Sequence, residues 1–94
     1  MFNPSHPGAL LREDVLPALE AEHRIDIADL ARRLSYSHQD LADVLGERSP
    51  MTADLAVRLE RAGLGTARSW LAMQSAHDLW QAEQREYPQI ARIP

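Results

Sequence analysis

Apolar residues recur at helical spacing along most of the chain, and no segment alternates as a strand would. In the first helical segment Leu11 and Leu19 share one face, after a Pro7-Gly8 pair suited to a first turn. Pro17 interrupts this segment. Because proline cannot donate a backbone hydrogen bond, we expect a kink or an early end there. The polar residues 20–24 either add a turn to this helix or form a loop.

Residues 27–46 have the pattern of two short helices joined by a turn. We expect Asp26 to cap the first helix, residues 35–37 to form the turn, and the second helix to run from about His38 to Gly46. Helices joined by so short a turn cross steeply, and Ala31 supplies the small side chain needed at the crossing. The apolar residues in register with it are Leu30, Leu34, Tyr36, Leu41 and Val44, and Leu45 is also expected to be buried. The pattern therefore predicts a helix-turn-helix.

Two further helices are predicted in the second half of the chain. Thr52 is expected to cap the fourth helix, and Gly63 to end it in a left-handed conformation. Thr66 is expected to cap a fifth helix that runs to about Glu86, before Pro88. The expected inner face of the fourth helix is Leu55, Ala56, Leu59 and Ala62. We therefore predict an all-α, five-helix, single helix-turn-helix domain over residues 1–94.

Composition limits the chemistry that the chain can perform. It contains no cysteine, so disulfides and thiolate sites are impossible, and this is compatible with a reducing cytoplasm. No apolar run approaches the ~20 residues that a membrane-spanning helix requires. The four histidines lie in separate segments without metal-ligand spacing, and no glycine-rich phosphate loop is present. We expect a cytoplasmic protein that has no enzymatic activity, metal, cofactor or membrane segment.

The second helix of such a motif fits the major groove of DNA, where its first residues meet base edges. Gln39 can make paired hydrogen bonds to adenine. A helix N-terminus and a nearby arginine can hold phosphates. The candidate DNA-binding residues are Ser37, His38, Gln39, Asp40, Arg48 and Thr52.

Charge opposes this interpretation in part. The chain has a net charge of −4, and residues 37–47 contain Asp40, Asp43 and Glu47 but no arginine or lysine. Carboxylates near phosphates weaken the electrostatic attraction that supplies most DNA affinity. Two hypotheses therefore remain open, namely specific but salt-sensitive DNA binding and a protein-interaction module that has lost DNA binding.

The fifth helix carries Trp70, Met73, His77 and Trp80 on one stripe. Core packing explains such a stripe most simply, but it is wide for one small core. We expect it to serve partly as core and partly as a homodimer interface. A dimer places two reading helices about 34 Å apart on one face of DNA.

Four strings in order carry a resemblance to a known family. The first segment is His6-Pro7-Gly8 together with residues 10–13, and the second is Leu30-Ala31-Arg32-Arg33-Leu34. The third is residues 51–59, and the fourth is residues 70–74 together with Asp78-Leu79-Trp80. With them the sequence resembles HigA-type antitoxins of the Xre (lambda-repressor-like) helix-turn-helix family.

The resemblance implies a dimeric antitoxin of a type II toxin-antitoxin system. Such a protein neutralises a small basic RNase toxin of the HigB/RelE-like kind, and it binds the palindromic operator of its own promoter to repress transcription. A stand-alone Xre-type transcriptional regulator remains the alternative within this family. The acidic residues Glu13, Asp14, Glu20 and Glu22 are either a solvated face or a docking surface for the toxin.

Overall fold

The structure, a computed structural model, describes residues 3–94, and this part of the chain folds into five helices without a strand. The helices are α1 (residues 7–23), α2 (Ile27–Arg33), α3 (His38–Leu45), α4 (Ala53–Arg61) and α5 (Ala67–Glu83). The predicted all-α, five-helix fold is confirmed. None of the helices is long and apolar enough to cross a membrane.

The first helix, α1, is irregular in its middle. The His6 imidazole caps its start, where Nδ1 accepts the Gly8 N–H at 2.9 Å and Pro7 takes the first helical position. The helix then widens into a π turn over Leu11–Val15 and continues as α-helix through Leu16–His23. Of the two alternatives expected at Pro17, a kink or an early end, the early end is therefore wrong, and the kink stays a prediction. The irregularity is a wide turn just before the proline, so its missing N–H does not end the helix.

The helix-turn-helix consists of α2, a four-residue turn over residues 34–37, and α3. Asp26 caps α2, as predicted, and it also forms a reciprocal capping box with Asp29. Ser35 adopts a left-handed conformation with φ 51°, at the turn position that favours glycine. The Tyr36 N–H donates to the Ala31 carbonyl at 2.9 Å, which closes the turn.

One core holds the helices together. Its buried apolar residues are Leu11, Leu30, Ala31, Leu34, Leu41, Val44, Leu45, Met51, Leu55, Ala56, Leu59 and Trp70. Thr52 caps α4 and Gly63 follows it with φ 88°, both as predicted. Ala62, expected in the core, is exposed, because α4 ends at Arg61 and Ala62 already belongs to its outward-facing cap.

The fifth helix also ends earlier than its sequence predicts. Thr66 caps it as expected, but its last residue is Glu83 and not Glu86, so the helix ends well before Pro88. Residues 84–94 contain no helix or strand. They expose the apolar side chains of Tyr87, Ile90 and Ile93.

Two contacts fix the start of α1 against the end of α3. A Cβ placed on Gly8 would overlap the carbonyl oxygen of Val44, so only glycine allows this approach. The Arg12 guanidinium donates to the Leu45 carbonyl at 2.6 Å and pairs with Glu47 at 3.2 Å. These contacts hold α3 in place with its N-terminal end directed outward.

Candidate nucleic-acid interface

The N-terminal end of α3 presents a row of polar side chains to solvent. Ser37, His38, Gln39 and Asp40 are all exposed. Leu41 and Val44 are buried and anchor the opposite face of the helix. The Ser37 hydroxyl accepts the Asp40 N–H at 3.2 Å, so it acts as the helix cap.

Asp43 connects two of the predicted DNA-binding residues. Its Oδ1 accepts a hydrogen bond from the Gln39 amide nitrogen at 3.0 Å and another from Arg48 Nε at 3.2 Å. A second guanidinium nitrogen of Arg48 reaches the Ala42 carbonyl at 3.4 Å. Gln39 and Arg48, nine positions apart in the sequence, are thus held side by side through one carboxylate.

Arginines partly offset the acidic charge of this surface. Asp43 pairs with Arg48, and Glu47 pairs with Arg12, which comes from α1. Only Asp40, among the three carboxylates of this segment, forms no ion pair with another group in residues 3–94. The negative field expected from the sequence is therefore weaker than three free carboxylates would produce.

The loop before α4 is fastened to α5. Gln74, whose side chain is buried, accepts the Met51 N–H at 2.7 Å and donates to Asp78 at 2.9 Å. The next residue, Thr52, caps α4 by accepting the Leu55 N–H at 3.2 Å. The predicted phosphate site at the start of α4 thus rests on a loop that α5 holds in position.

Arg58 fixes the turn of the helix-turn-helix, and sequence reasoning missed it. Its Nη1 donates to the carbonyls of Leu34 at 2.9 Å and Ser35 at 2.6 Å, and its Nε pairs with Asp54 at 3.0 Å. The guanidinium also lies 5.7 Å from the centre of the Tyr36 ring. The bonds to the turn join residues 23 and 24 positions apart, which no local pattern reveals.

The four residues of the predicted dimer stripe occupy different environments. Trp70 is 3% exposed and donates its indole N–H to the Leu64 carbonyl at 2.7 Å, so it belongs to the core of the protomer. Met73, His77 and Trp80 are half-buried. The His77 Nδ1 lies 2.9 Å from the Pro4 carbonyl oxygen. A dimer interface on this helix stays a prediction. Trp70 is too buried to contribute much contact area to it.

An apolar cavity of about 460 Å³ lies beside this stripe. The N-terminal segment and α5 form its walls, which consist of Pro4, Ser5, Ser69, Ala72, Met73 and Ala76. Met73 therefore lines both the cavity and the exposed part of the stripe.

Comparison with known proteins identifies relatives of the whole fold. No family model matches the chain. Virulence-associated protein I of Dichelobacter nodosus is 40% identical over 79 residues, which cover 84% of this chain and 69% of that protein. Antitoxin GraA has a solved structure with a TM-score of 0.75 and 37% identity, covering 89% of this chain and 86% of GraA.

A third relative is the Pseudomonas aeruginosa antitoxin HigA, whose structure was solved with the higBA promoter. It matches with a TM-score of 0.70 and 35% identity, covering 84% of this chain and 82% of HigA. These similarities extend over the helix-turn-helix and the helices on both sides of it. The chain belongs to the HigA-type antitoxins of the Xre helix-turn-helix family.

Proposed function

We propose that this chain is the antitoxin of a type II toxin-antitoxin system with two activities. As a dimer it binds the operator of its own promoter and represses transcription, and it neutralises a HigB/RelE-like RNase toxin. The observation that carries the proposal is the exposed N-terminal part of α3, together with the hydrogen bonds that Gln39 and Arg48 both donate to Asp43. The Pseudomonas aeruginosa relative was solved with promoter DNA, which supports the same use of the fold.

The exposed side chains on α3 suit the major groove. Gln39 can pair with a base edge, while Arg48 can neutralise a phosphate with the part of its guanidinium that Asp43 leaves free. Arg12 and Arg48 offset two of the nearby carboxylates, which removes much of the electrostatic objection to DNA. The surface carries no excess of positive charge, because Arg12 and Arg48 balance only Glu47 and Asp43 and leave Asp40. Affinity should therefore depend on specific contacts and fall as salt rises.

A dimer would present two copies of α3 to one face of the operator. Met73, His77 and Trp80 offer partly exposed surface on α5, next to the apolar cavity. Sedimentation at micromolar protein concentration tests this arrangement. A dimer is the expected species, and a monomer would contradict it.

The toxin is expected to be basic, and this chain offers acidic surface for it. The net charge is −4, and α1 exposes Glu13, Asp14, Glu20 and Glu22. Neutralisation by an antitoxin requires binding and no chemistry of its own, so we propose a non-enzymatic role. Both activities would place the chain in the cytoplasm, together with its promoter and the toxin's RNA substrates.

Two experiments separate the proposed activities. DNase footprinting of the DNA upstream of the chain's own gene should show a protected palindrome, which Arg48→Ala weakens and Arg85→Ala, a matched control in the C-terminal segment, leaves unchanged. Expression of the neighbouring frame for a small basic protein should arrest growth, and co-expression of this chain should restore it. A footprint without growth rescue favours a stand-alone regulator, whereas rescue without a footprint favours a protein-interaction module.

A further inference from the structure

We infer that Asp43 is a specificity-determining positioning residue, which holds the Gln39 amide in the one orientation that reads adenine. The inference rests on the DNA binding proposed above and deepens it. The charge of Asp43 alone would mark it as harmful to DNA binding. Its hydrogen bonds to Gln39 and Arg48 give it a different role.

Gln39 and Asp43 lie at the centre of the outward face of α3. They are one helical turn apart, so their side chains are neighbours on the helix surface. Leu41 and Val44, both buried, mark the opposite face. An outer pair in this position is the first part of the helix to meet base edges in a groove.

The carboxylate decides which end of the Gln39 amide points toward it. An ionised carboxylate only accepts hydrogen bonds, whereas a glutamine amide has an NH₂ group at one end and an acceptor oxygen at the other. The NH₂ group therefore faces Asp43 Oδ1, as the 3.0 Å contact shows, and a flipped amide would place two acceptor oxygens together. One N–H and the amide oxygen of Gln39 remain available.

These two remaining groups complement adenine and not guanine. In the major groove adenine presents the N7 acceptor and the N6 amino donor, whereas guanine presents two acceptors, N7 and O6. The free N–H of Gln39 can donate to N7 of either purine. Its amide oxygen can accept from adenine N6 but faces an unfavourable acceptor at guanine O6. A fixed amide thus converts a general polar contact into selection for adenine.

Arg48 keeps this arrangement compatible with DNA. Its Nε donates to the same Asp43 oxygen at 3.2 Å, and this ion pair keeps the carboxylate in place and offsets its charge. Its bond to the Ala42 carbonyl holds a second nitrogen, which leaves Nη1 for a phosphate. Asp43 therefore links one group that reads a base, the Gln39 amide, with one group that binds a phosphate, the Arg48 guanidinium.

The test measures base preference position by position. With the half-site defined by footprinting, every base pair of it is replaced in turn and the Kd of each duplex is measured. The unsubstituted chain should show one position where replacing adenine by guanine weakens binding about 10–100-fold, the range of a good paired contact. Gln39→Ala should remove the preference at that position only.

Asp43→Asn is the decisive variant, and Asp14→Asn is its matched control. Asparagine can offer either an oxygen or an NH₂ group, so it no longer fixes the Gln39 amide, and the preference should fall below about 3-fold. Asp14→Asn removes the same charge from an exposed position of α1, outside the proposed DNA interface and without a contact to Gln39. It should change affinity for all duplexes alike and preserve the preference for adenine.

The possible results distinguish failure of the inference about Asp43 from failure of the proposed DNA binding. Specific binding with the adenine preference intact in Asp43→Asn overturns this inference alone. Equal binding of promoter and scrambled DNA by the unsubstituted chain overturns the proposed function and this inference with it. If Asp43→Asn does not fold, NMR of the unsubstituted chain decides. One of the two Gln39 side-chain amide protons, the one bonded to Asp43, should exchange with water more slowly than the other, and equal exchange rates would overturn the inference.

Discussion

Removing the Arg58 side chain should destabilise the fold at the turn of the helix-turn-helix. Arg58→Ala deletes two hydrogen bonds to the carbonyls of Leu34 and Ser35, an ion pair with Asp54, and the contact with Tyr36. The Leu34 carbonyl, at the C-terminal end of α2, would lose a charged partner. Ser35, whose φ is 51°, would lose a bond that helps to hold it in this conformation.

The size of the loss follows from how exposed each contact is. A hydrogen bond from a charged group to a carbonyl contributes about 1.5–3 kcal/mol, and the part-buried bond to Leu34 deserves a value within that range. The Asp54 pair is largely exposed, with 64% of the aspartate side chain accessible, so it contributes ~0–1 kcal/mol. We expect a total loss of about 2–3 kcal/mol in the free energy of unfolding, or a decrease of about 10–15 °C in Tm.

Urea unfolding followed by circular dichroism measures this loss. One fixed protomer concentration is used, because the proposed dimer would also contribute to stability. Arg61→Ala is the matched control, since it removes an exposed arginine of α4 that forms no ion pair with a residue in the described part of the chain. Its effect should stay within about 0.5 kcal/mol. Arg58→Lys should recover less than half of the loss, because one ammonium group cannot replace the planar fork. The reasoning is refuted if Arg58→Ala costs no more than Arg61→Ala.

Three further predictions concern the contacts that position α3 and the loop after it. Gln74→Leu should lower the free energy of unfolding by about 1–3 kcal/mol, because the buried Met51 N–H of that loop loses its acceptor. Denaturant titration measures this decrease, and a value below about 0.5 kcal/mol would contradict the prediction. Gly8→Ala should cost about 3 kcal/mol, since its methyl group overlaps the Val44 carbonyl and forces α1 away from α3; an unchanged Tm would contradict that close approach. Burial, and then the neighbouring His77, lower the pKa of His6 in the folded chain. The unfolded chain therefore binds the proton more readily than the folded chain does. The contribution of neutral His6 to stability is thus complete above about pH 6.5 and decreases as the pH falls below that value. His6→Asn, which keeps a capping acceptor, should show a smaller decrease between pH 7 and 5, and an identical pH profile would count against this role.

Local signals in the sequence were sufficient for most of the fold. Asp26, Thr52 and Thr66 cap the helices that they precede in sequence, because a capping side chain bonds within its own first turn. The buried positions of α2 and α3 follow from helical periodicity, which is likewise a local property of the sequence. At Pro17 the sequence left a kink and an early end both open, because the effect of proline depends on whether a preceding turn can widen, and the residue type does not show this.

The candidate site was predictable in its position but not in its connections. The exposed residues at the start of α3 follow from the motif. In contrast, the backbone carbonyls to which Arg12 and Arg58 donate lie more than twenty positions away in the sequence. Pairing of Asp43 with Arg48 also depends on how the chain turns after α3. Counting carboxylates along the helix therefore overestimated the negative charge that DNA would meet.

The most direct test of DNA recognition by α3 is an equilibrium titration of promoter DNA against a scrambled duplex of equal length and composition. Both duplexes are measured at several salt concentrations, so that non-specific attraction is separated from sequence reading. We predict that the promoter binds at least about 10³-fold more tightly at physiological salt, the lower end of the range for specific DNA-binding proteins. Equal affinity for the two duplexes at every salt concentration would contradict the proposal that this helix-turn-helix recognises an operator.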